Sequence, residues 1–186
     1  MRTADLLLLG ASQVVTLDDG VPGPKAGRAA MNDLGVVEDG AVAIHRGRIV
    51  DVGTSKEVTG RWRAWRRVFC RGRAVVPGLV DAHTHPVFAA MRAEEFASRC
   101  RGATYEEILA AGGGIHASAA RLAETPVDVL ATDVRRRLDR FLLHGTTTVE
   151  GKSGYGLSTA NEIKSLIALR RGARGHPVRV VPTFLG

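Results

Sequence analysis

Apolar positions along the chain follow two different patterns, and the change comes near residue 75. Residues 1–75 carry short, strand-length apolar runs. Between Asp5 and Leu17 these runs are broken by Gly10 and Ser12. Residues 21–35 hold Pro22, Gly23, Pro24, Gly27 and Gly35 and read as a loop. Ala41–His45 and Arg48–Val52 flank the pair Arg46-Gly47, the form of a β-hairpin whose glycine supplies positive φ. Short strands of this kind predict a small sandwich or half-barrel.

Beyond Val75-Val76 the pattern alternates between strand and helix. Leu79-Val80 is a short apolar run that leads into Asp81-Ala82-His83-Thr84-His85. Thr104–Ala111 opens as a helix with a capping box, Thr104 answered by Glu107, and stops at Gly112-Gly113-Gly114. Thr125 is expected to cap the next helix, with Pro126 first and Asp128 three after the cap. Leu130, Val134, Leu138 and Phe141 give that helix an apolar stripe, and Gly145 ends it. Thr146–Glu150 is β-branched and reads as a strand. Thr159 and Glu162 suggest a second capping box, opening a helix to about Arg174, and Val178–Leu185 reads as a third strand. Strand, helix, strand, helix, strand implies right-handed parallel units. Three such strands cannot close a barrel, which needs eight strands and about 250 residues. The expectation is therefore either a small open α/β sheet or, preferably, the front part of a longer protein.

Composition narrows the function classes. Hydrophobic residues make up 45% of the 186, which supports a packed core and argues against disorder. Two cysteines, Cys70 and Cys100, with no CxxC, exclude a disulfide scaffold and a zinc ribbon. The longest early apolar run, Leu6–Leu9, is too short for a signal-peptide core or a membrane span, so the expected location is cytoplasmic, with no membrane partner. The net charge is +7, and 22 of the 26 basic residues are arginine. Arg61–Arg67 interleaves arginine with Trp62 and Trp65, which suits either a nucleic-acid patch or a solvated strand edge or inter-domain surface. Only 5% of residues are aromatic, which disfavours binding single strands by stacking; no nucleic-acid partner is expected. Arg135, Arg136, Arg137 and Arg140, beside Asp133 and Asp139, read as an exposed helix face.

The chemistry centres on His83 and His85. In a strand, residues i and i+2 share a face, so two imidazoles at a strand's carboxyl end can bind one metal ion. Asp81 shares that face if the strand stays regular. A lone HxH is a weak motif, but its place at a strand end, where barrel active sites lie, strengthens it. Lys152 reads as structural or as a support behind the ligands, and His116, His144 and His176 show no ligand spacing.

The run Val76–His85 resembles the first barrel strand of the amidohydrolases, a superfamily of metal-dependent hydrolases. The likeness narrows to the imidazolonepropionase family through His83–Ala89, Arg92 with Glu94-Glu95-Phe96, Ala111–Ile115 and Gly145–Glu150. Lys152–Leu157 and the terminal Val181–Gly186 belong to the same likeness, which runs from about Asp5 to the last residue. The resemblance implies an α/β fold. Residues 1–75 would be the N-terminal part of a composite β-sandwich domain, and 76–186 the first part of a (β/α)₈ barrel, incomplete in this chain. It implies hydrolysis of the ring amide of 4-imidazolone-5-propanoate to N-formimidoyl-L-glutamate in histidine degradation, with one zinc or iron ion. His83 and His85 match the family's first two metal ligands, Arg92 its substrate-carboxylate contact, and Tyr155 a residue that touches substrate and product. The remaining ligands and the catalytic glutamate would lie beyond residue 186, so a fragment of this length is expected to be inactive alone. The partner is a small-molecule substrate, and a homo-oligomer is left open for the full-length protein. Ala90-Met91 departs from the family's Gly-Asp, and Gly151 from its valine. The alternatives are another amidohydrolase, either a cyclic-amide hydrolase or a deaminase, and a non-catalytic remnant that binds a partner through its open sheet edge.

Overall fold

The structure, a computed structural model, describes residues 1–18 and 20–186. The chain divides into two compact units, Met1–Pro77 and Gly78–Gly186. Among the described residues no helix is long and apolar enough to cross a membrane.

The first unit is built on one four-stranded sheet, ordered β3-β2-β1-β4. Its strands are β1 (Arg2–Val15), β2 (Val36–His45), β3 (Arg48–Thr54) and β4 (Trp62–Phe69). β1 runs antiparallel to β2 and parallel to β4. Gly10, at φ 64°, lies where the β1–β2 register slips between Leu8 and Ala11, so its left-handed backbone makes a bulge rather than a break. The hairpin turn falls at Arg46-Gly47 as read, and both residues take positive φ (52° and 73°). Asp5 accepts the Arg46 backbone N–H, which helps an arginine hold that conformation. Alternation along β1 and β2 loads both faces of the sheet. Ala4, Leu7, Leu9, Ala41 and Ala43 cluster with Val58 and Trp62, while Ala11, Val14, Val42 and Cys70 form a second cluster. Val58 comes from α2 (Ser55–Arg61), which opens on a capping box of Thr54 and Glu57. The stretch read as loop over 21–35 also holds a short helix, α1 (Arg28–Asn32). The arginine–tryptophan run forms β4, an edge strand with Trp65 exposed, which agrees with the solvated-edge reading.

The second unit is an open parallel sheet, β5-β6-β7, formed by Leu79–Thr84, Thr146–Lys152 and Arg179–Thr183. Gly78 enters it where a Cβ would sit 2.2 Å from Thr147 Oγ1, so no side chain fits. Between β5 and β6 come α3 (Ala93–Cys100), α4 (Tyr105–Ala110), α5 (Gly114–Glu124) and α6 (Val127–Leu143); α7 (Thr159–Ala173) joins β6 to β7. The stripe read on α6 is the centre of the core. Leu130, Val134 and Leu138 are fully buried against Val149 of β6 and Ala168 and Leu169 of α7, with Phe141 alongside. Gly151 packs into the same layer, where a Cβ would lie 2.7 Å from Leu169 Cδ2.

Two helix starts differ from the sequence reading. Thr125 does not cap α6. It closes α5, its Oγ1 donating to the Arg121 carbonyl, and Pro126 is the N-cap of α6. Proline supplies no side-chain acceptor, so the helix begins on backbone geometry alone. The second expected box also fails. Ser158, not Thr159, caps α7 by accepting the Asn161 N–H, and Glu162 faces inward. A third reading changes too. Arg137 is not on an exposed face: its guanidinium donates to the Pro86 carbonyl at 2.9 Å and lies 3.4 Å from the Phe88 ring centroid.

Candidate functional site

Four residues singled out from the sequence come together at the carboxyl ends of β5 and β6. The rings of His83 and His85 lie 5.6 Å apart, edge to face. Tyr155, in the loop after β6, packs its ring 5.0 Å from His85. His85, Arg92 and Tyr155 line one cleft of about 220 Å³, together with Phe88, Met91 and Ser118.

β5 does not stay regular. Its register against β6 slips between Asp81 and Thr84, and the Asp81 carboxylate accepts the backbone N–H of His83 at 3.2 Å. The Asp81 carboxylate is thus engaged on backbone where the strand becomes irregular. The strand ends are also tied laterally. Thr84 Oγ1 donates to the Glu150 carbonyl at 2.6 Å. Ser153 receives the Leu185 N–H and donates its hydroxyl to the Leu185 carbonyl, bridging the loops after β6 and β7.

Glu150 and Lys152, two apart on β6, pair at 2.9 Å, and Thr183 of β7 donates its hydroxyl to the same carboxylate. The Lys152 ammonium, then the Thr183 hydroxyl, hold the Glu150 carboxyl below the usual carboxylate range, with a smaller contribution from His83. Lys152 is thus engaged in an ion pair, consistent with its structural reading.

Arg92 sits just before α3 and donates through Nε and Nη2 to one oxygen of Glu95. The other Glu95 oxygen accepts the Gly114 N–H, which anchors the pair to the start of α5. Arg92 foremost, with the Gly114 N–H, holds the Glu95 carboxyl below its ordinary value against the opposing effect of burial. This leaves the Nη1 side of the guanidinium uncommitted to Glu95. A planar fork of that kind can grip a carboxylate with two parallel bonds.

The imidazole nitrogens fit a metal ion in part. His85 Nδ1 is buried without a hydrogen-bond partner, and the neighbouring His83 offers a second nitrogen donor. Among the described residues no group of three His, Cys, Asp or Glu side chains comes together for a metal. His176 is committed elsewhere, to Asp139 and the Val178 N–H. Cys70 is buried in the first unit and Cys100 is exposed, neither in a disulfide.

Sequence reasoning missed two carboxylates. Glu95 stands in the Glu94-Glu95-Phe96 run, where the sequence shows no partner for it. Glu162 was read as a capping residue because it stands three after Thr159. The signal that could have found it is a glutamate just after a Gly-Tyr-Gly loop, where several backbone N–H groups need an acceptor.

No model of a known protein family matches the chain. Curated relatives match it along its length. The imidazolonepropionase of Symbiobacterium thermophilum is 50% identical over 190 residues, covering 100% of this chain and 44% of the relative. That of Chloroflexus aggregans is 47% identical over 185 residues, covering 100% and 43%. Among solved structures, a triazine hydrolase from Arthrobacter aurescens superposes with a TM-score of 0.69 at 25% identity, over 98% of this chain and 37% of that one. A zinc-bound adenosine deaminase from Xanthomonas campestris shares the fold at 20% identity and a TM-score of 0.56. End to end, then, the chain is a relative of the imidazolonepropionases on an amidohydrolase fold, and it spans under half the length of those relatives.

Proposed function

We propose that the intact protein hydrolyses the ring amide of 4-imidazolone-5-propanoate to N-formimidoyl-L-glutamate, and that this chain supplies the first part of its active site. The observation that carries the reading is that His85, Arg92 and Tyr155 line one cleft at the strand ends, with His83 packed edge to face on His85. His83 and His85 would hold one zinc or iron ion. When bound, such an ion supplies a water of lowered pKa and polarises a carbonyl oxygen. Further donors and the catalytic acid–base group would come from sequence outside these 186 residues.

The residues present divide the remaining work. Arg92 grips the propanoate through the part of its fork that Glu95 leaves open, while Glu95 fixes the guanidinium plane. A fixed tail brings the ring to a repeatable position, which is the entropic part of catalysis. Tyr155 orients the ring from the same cleft, and its packing on His85 fixes its own ring in turn. Phe88 and Met91 add apolar surface to the same cleft.

The test is elemental analysis of the intact protein, with turnover of the imidazolone measured on the same samples. The parent is expected to hold one zinc or iron and to open the ring. The double variant His83→Ala, His85→Ala should lose both. Unchanged metal stoichiometry in the double variant would remove the ligand assignment, and a parent inert toward the imidazolone would remove the substrate assignment.

A further inference from the structure

Glu162 is 2% exposed, and no ion pair involves it among the described residues. Its two oxygens are spent on backbone. Oε1 accepts the N–H groups of Gly156 at 2.6 Å and Leu157 at 2.9 Å, and Oε2 accepts the N–H of Gly154. The three donors straddle Tyr155, so one buried carboxylate holds the peptide units on both sides of it.

The surrounding backbone needs that grip. Gly154 has φ 119° and Leu157 φ 52°, both in the left-handed half of the map, which costs a leucine free energy. At Gly156 an added Cβ would lie 2.6 Å from the Asn161 carbonyl carbon and 2.7 Å from the Glu162 nitrogen. At Gly154 it would come within 3.0 Å of Leu185 and 3.3 Å of His85 Cε1. The loop is therefore seated directly on the start of α7 and against His85. A carboxylate buried to this degree is costly unless its oxygens are satisfied, and each N–H left without it would carry its own desolvation cost.

From this geometry we infer that Glu162 is the positioning residue for Tyr155: it fixes the loop so that the tyrosine ring stands against His85 and faces the cleft. The inference deepens the proposed function, since the role of Tyr155 toward substrate rests on that reading. Glu162 touches no reacting atom and acts only through the loop.

The test uses the intact protein labelled with 3-fluorotyrosine and read by fluorine NMR. The resonance absent from Tyr155→Phe identifies Tyr155. In Glu162→Gln, which keeps the size but replaces one acceptor oxygen by a donor, that resonance should shift and broaden. In Ser158→Ala, which removes the cap of the same helix without touching the carboxylate, it should stay in place. Glu162→Asp, which withdraws both oxygens by one methylene, is read the same way if the Gln variant loses its cooperative melting. In turnover of the imidazolone, Glu162→Gln should lower kcat/KM about tenfold, with metal content unchanged and no further loss on a Tyr155→Phe background. A Tyr155 resonance unmoved by Glu162→Gln, or losses that add in the double variant, would overturn the inference. A parent without turnover would count against the substrate reading alone, because the NMR comparison decides the role of Glu162 independently.

Discussion

Removing the Arg92 side chain should separate substrate binding from every other property of the site. Two of its N–H groups go to Glu95, so the remaining edge is what a propanoate would meet. Truncating one member of a hydrogen-bonded charge pair costs about 2–5 kcal/mol when the pair is desolvated. The Arg92 side chain is 39% exposed, which places it at the lower end, about 2 kcal/mol. At about 1.4 kcal/mol per decade, Arg92→Ala should lower kcat/KM roughly thirtyfold. Arg92→Lys should recover part of this, because an ammonium keeps the charge but loses the planar fork. Steady-state kinetics on 4-imidazolone-5-propanoate, with metal analysis of the same samples, measures all of it. Metal content should not change, since the guanidinium is no ligand. An analogue whose propanoate is replaced by a neutral amide should be turned over equally by parent and Arg92→Ala. If Arg92→Ala matched the parent on the natural substrate, the carboxylate clamp would be wrong, and the Glu95 pair would be a purely structural contact.

Three further outcomes are expected. Asp51 accepts from Arg61 and from the Trp62 indole, and these partners, Arg61 first, hold its carboxyl below the ordinary 3.8. A depressed carboxyl stabilises the fold above its unfolded value and loses that contribution as pH falls through the lowered one, so urea denaturation should show Asp51→Asn weaker by about 1–2 kcal/mol at neutral pH, with the gap closing in acid. Gly151→Val should cost about 1–3 kcal/mol by driving methyl groups into Leu169, and Leu169→Ala about 2–5, yet the pair together should cost less than their sum by more than about 0.5 kcal/mol; strict additivity in denaturant melts would show that the two sites do not share space. Residues 1–186 produced alone should aggregate and show no turnover, because Leu79, Val80, Val181 and Phe184 stand exposed on and beside an open parallel sheet; a cooperative melt together with turnover would refute this.

What the sequence disclosed of the fold was what depends on neighbours in sequence. The hairpin at Arg46-Gly47, the capping box at Thr104 and the stripe of Leu130, Val134 and Leu138 are local patterns, and all three form as written. The errors came where two local readings compete. Thr125 stands before a proline and also four residues after Arg121. Its hydroxyl and its backbone N–H both turn back to the Arg121 carbonyl, so Thr125 closes α5 instead of opening α6. Gly151 meets a neighbour invisible along one strand: Leu169, from a helix eighteen residues later, fills the space that a side chain would take.

The site divides along the same line. His83, His85, Arg92 and Tyr155 were legible because a resemblance carried them and because a strand end and a glycine-flanked tyrosine suggest chemistry. The carboxylates that hold two of them were not. Glu95 and Glu162 look like ordinary helix-start glutamates, the commonest place for that residue type. What sets them apart is the demand around them: Glu95 receives both a guanidinium and the Gly114 N–H, and Glu162 receives three N–H groups of a loop with two left-handed residues. A sequence shows donors and acceptors but not which are stranded by the fold, and stranded backbone groups are what give an otherwise plain glutamate its task. The residues that would meet substrate are reached through a family resemblance. Those that hold them in place are found only by following each buried N–H to its acceptor.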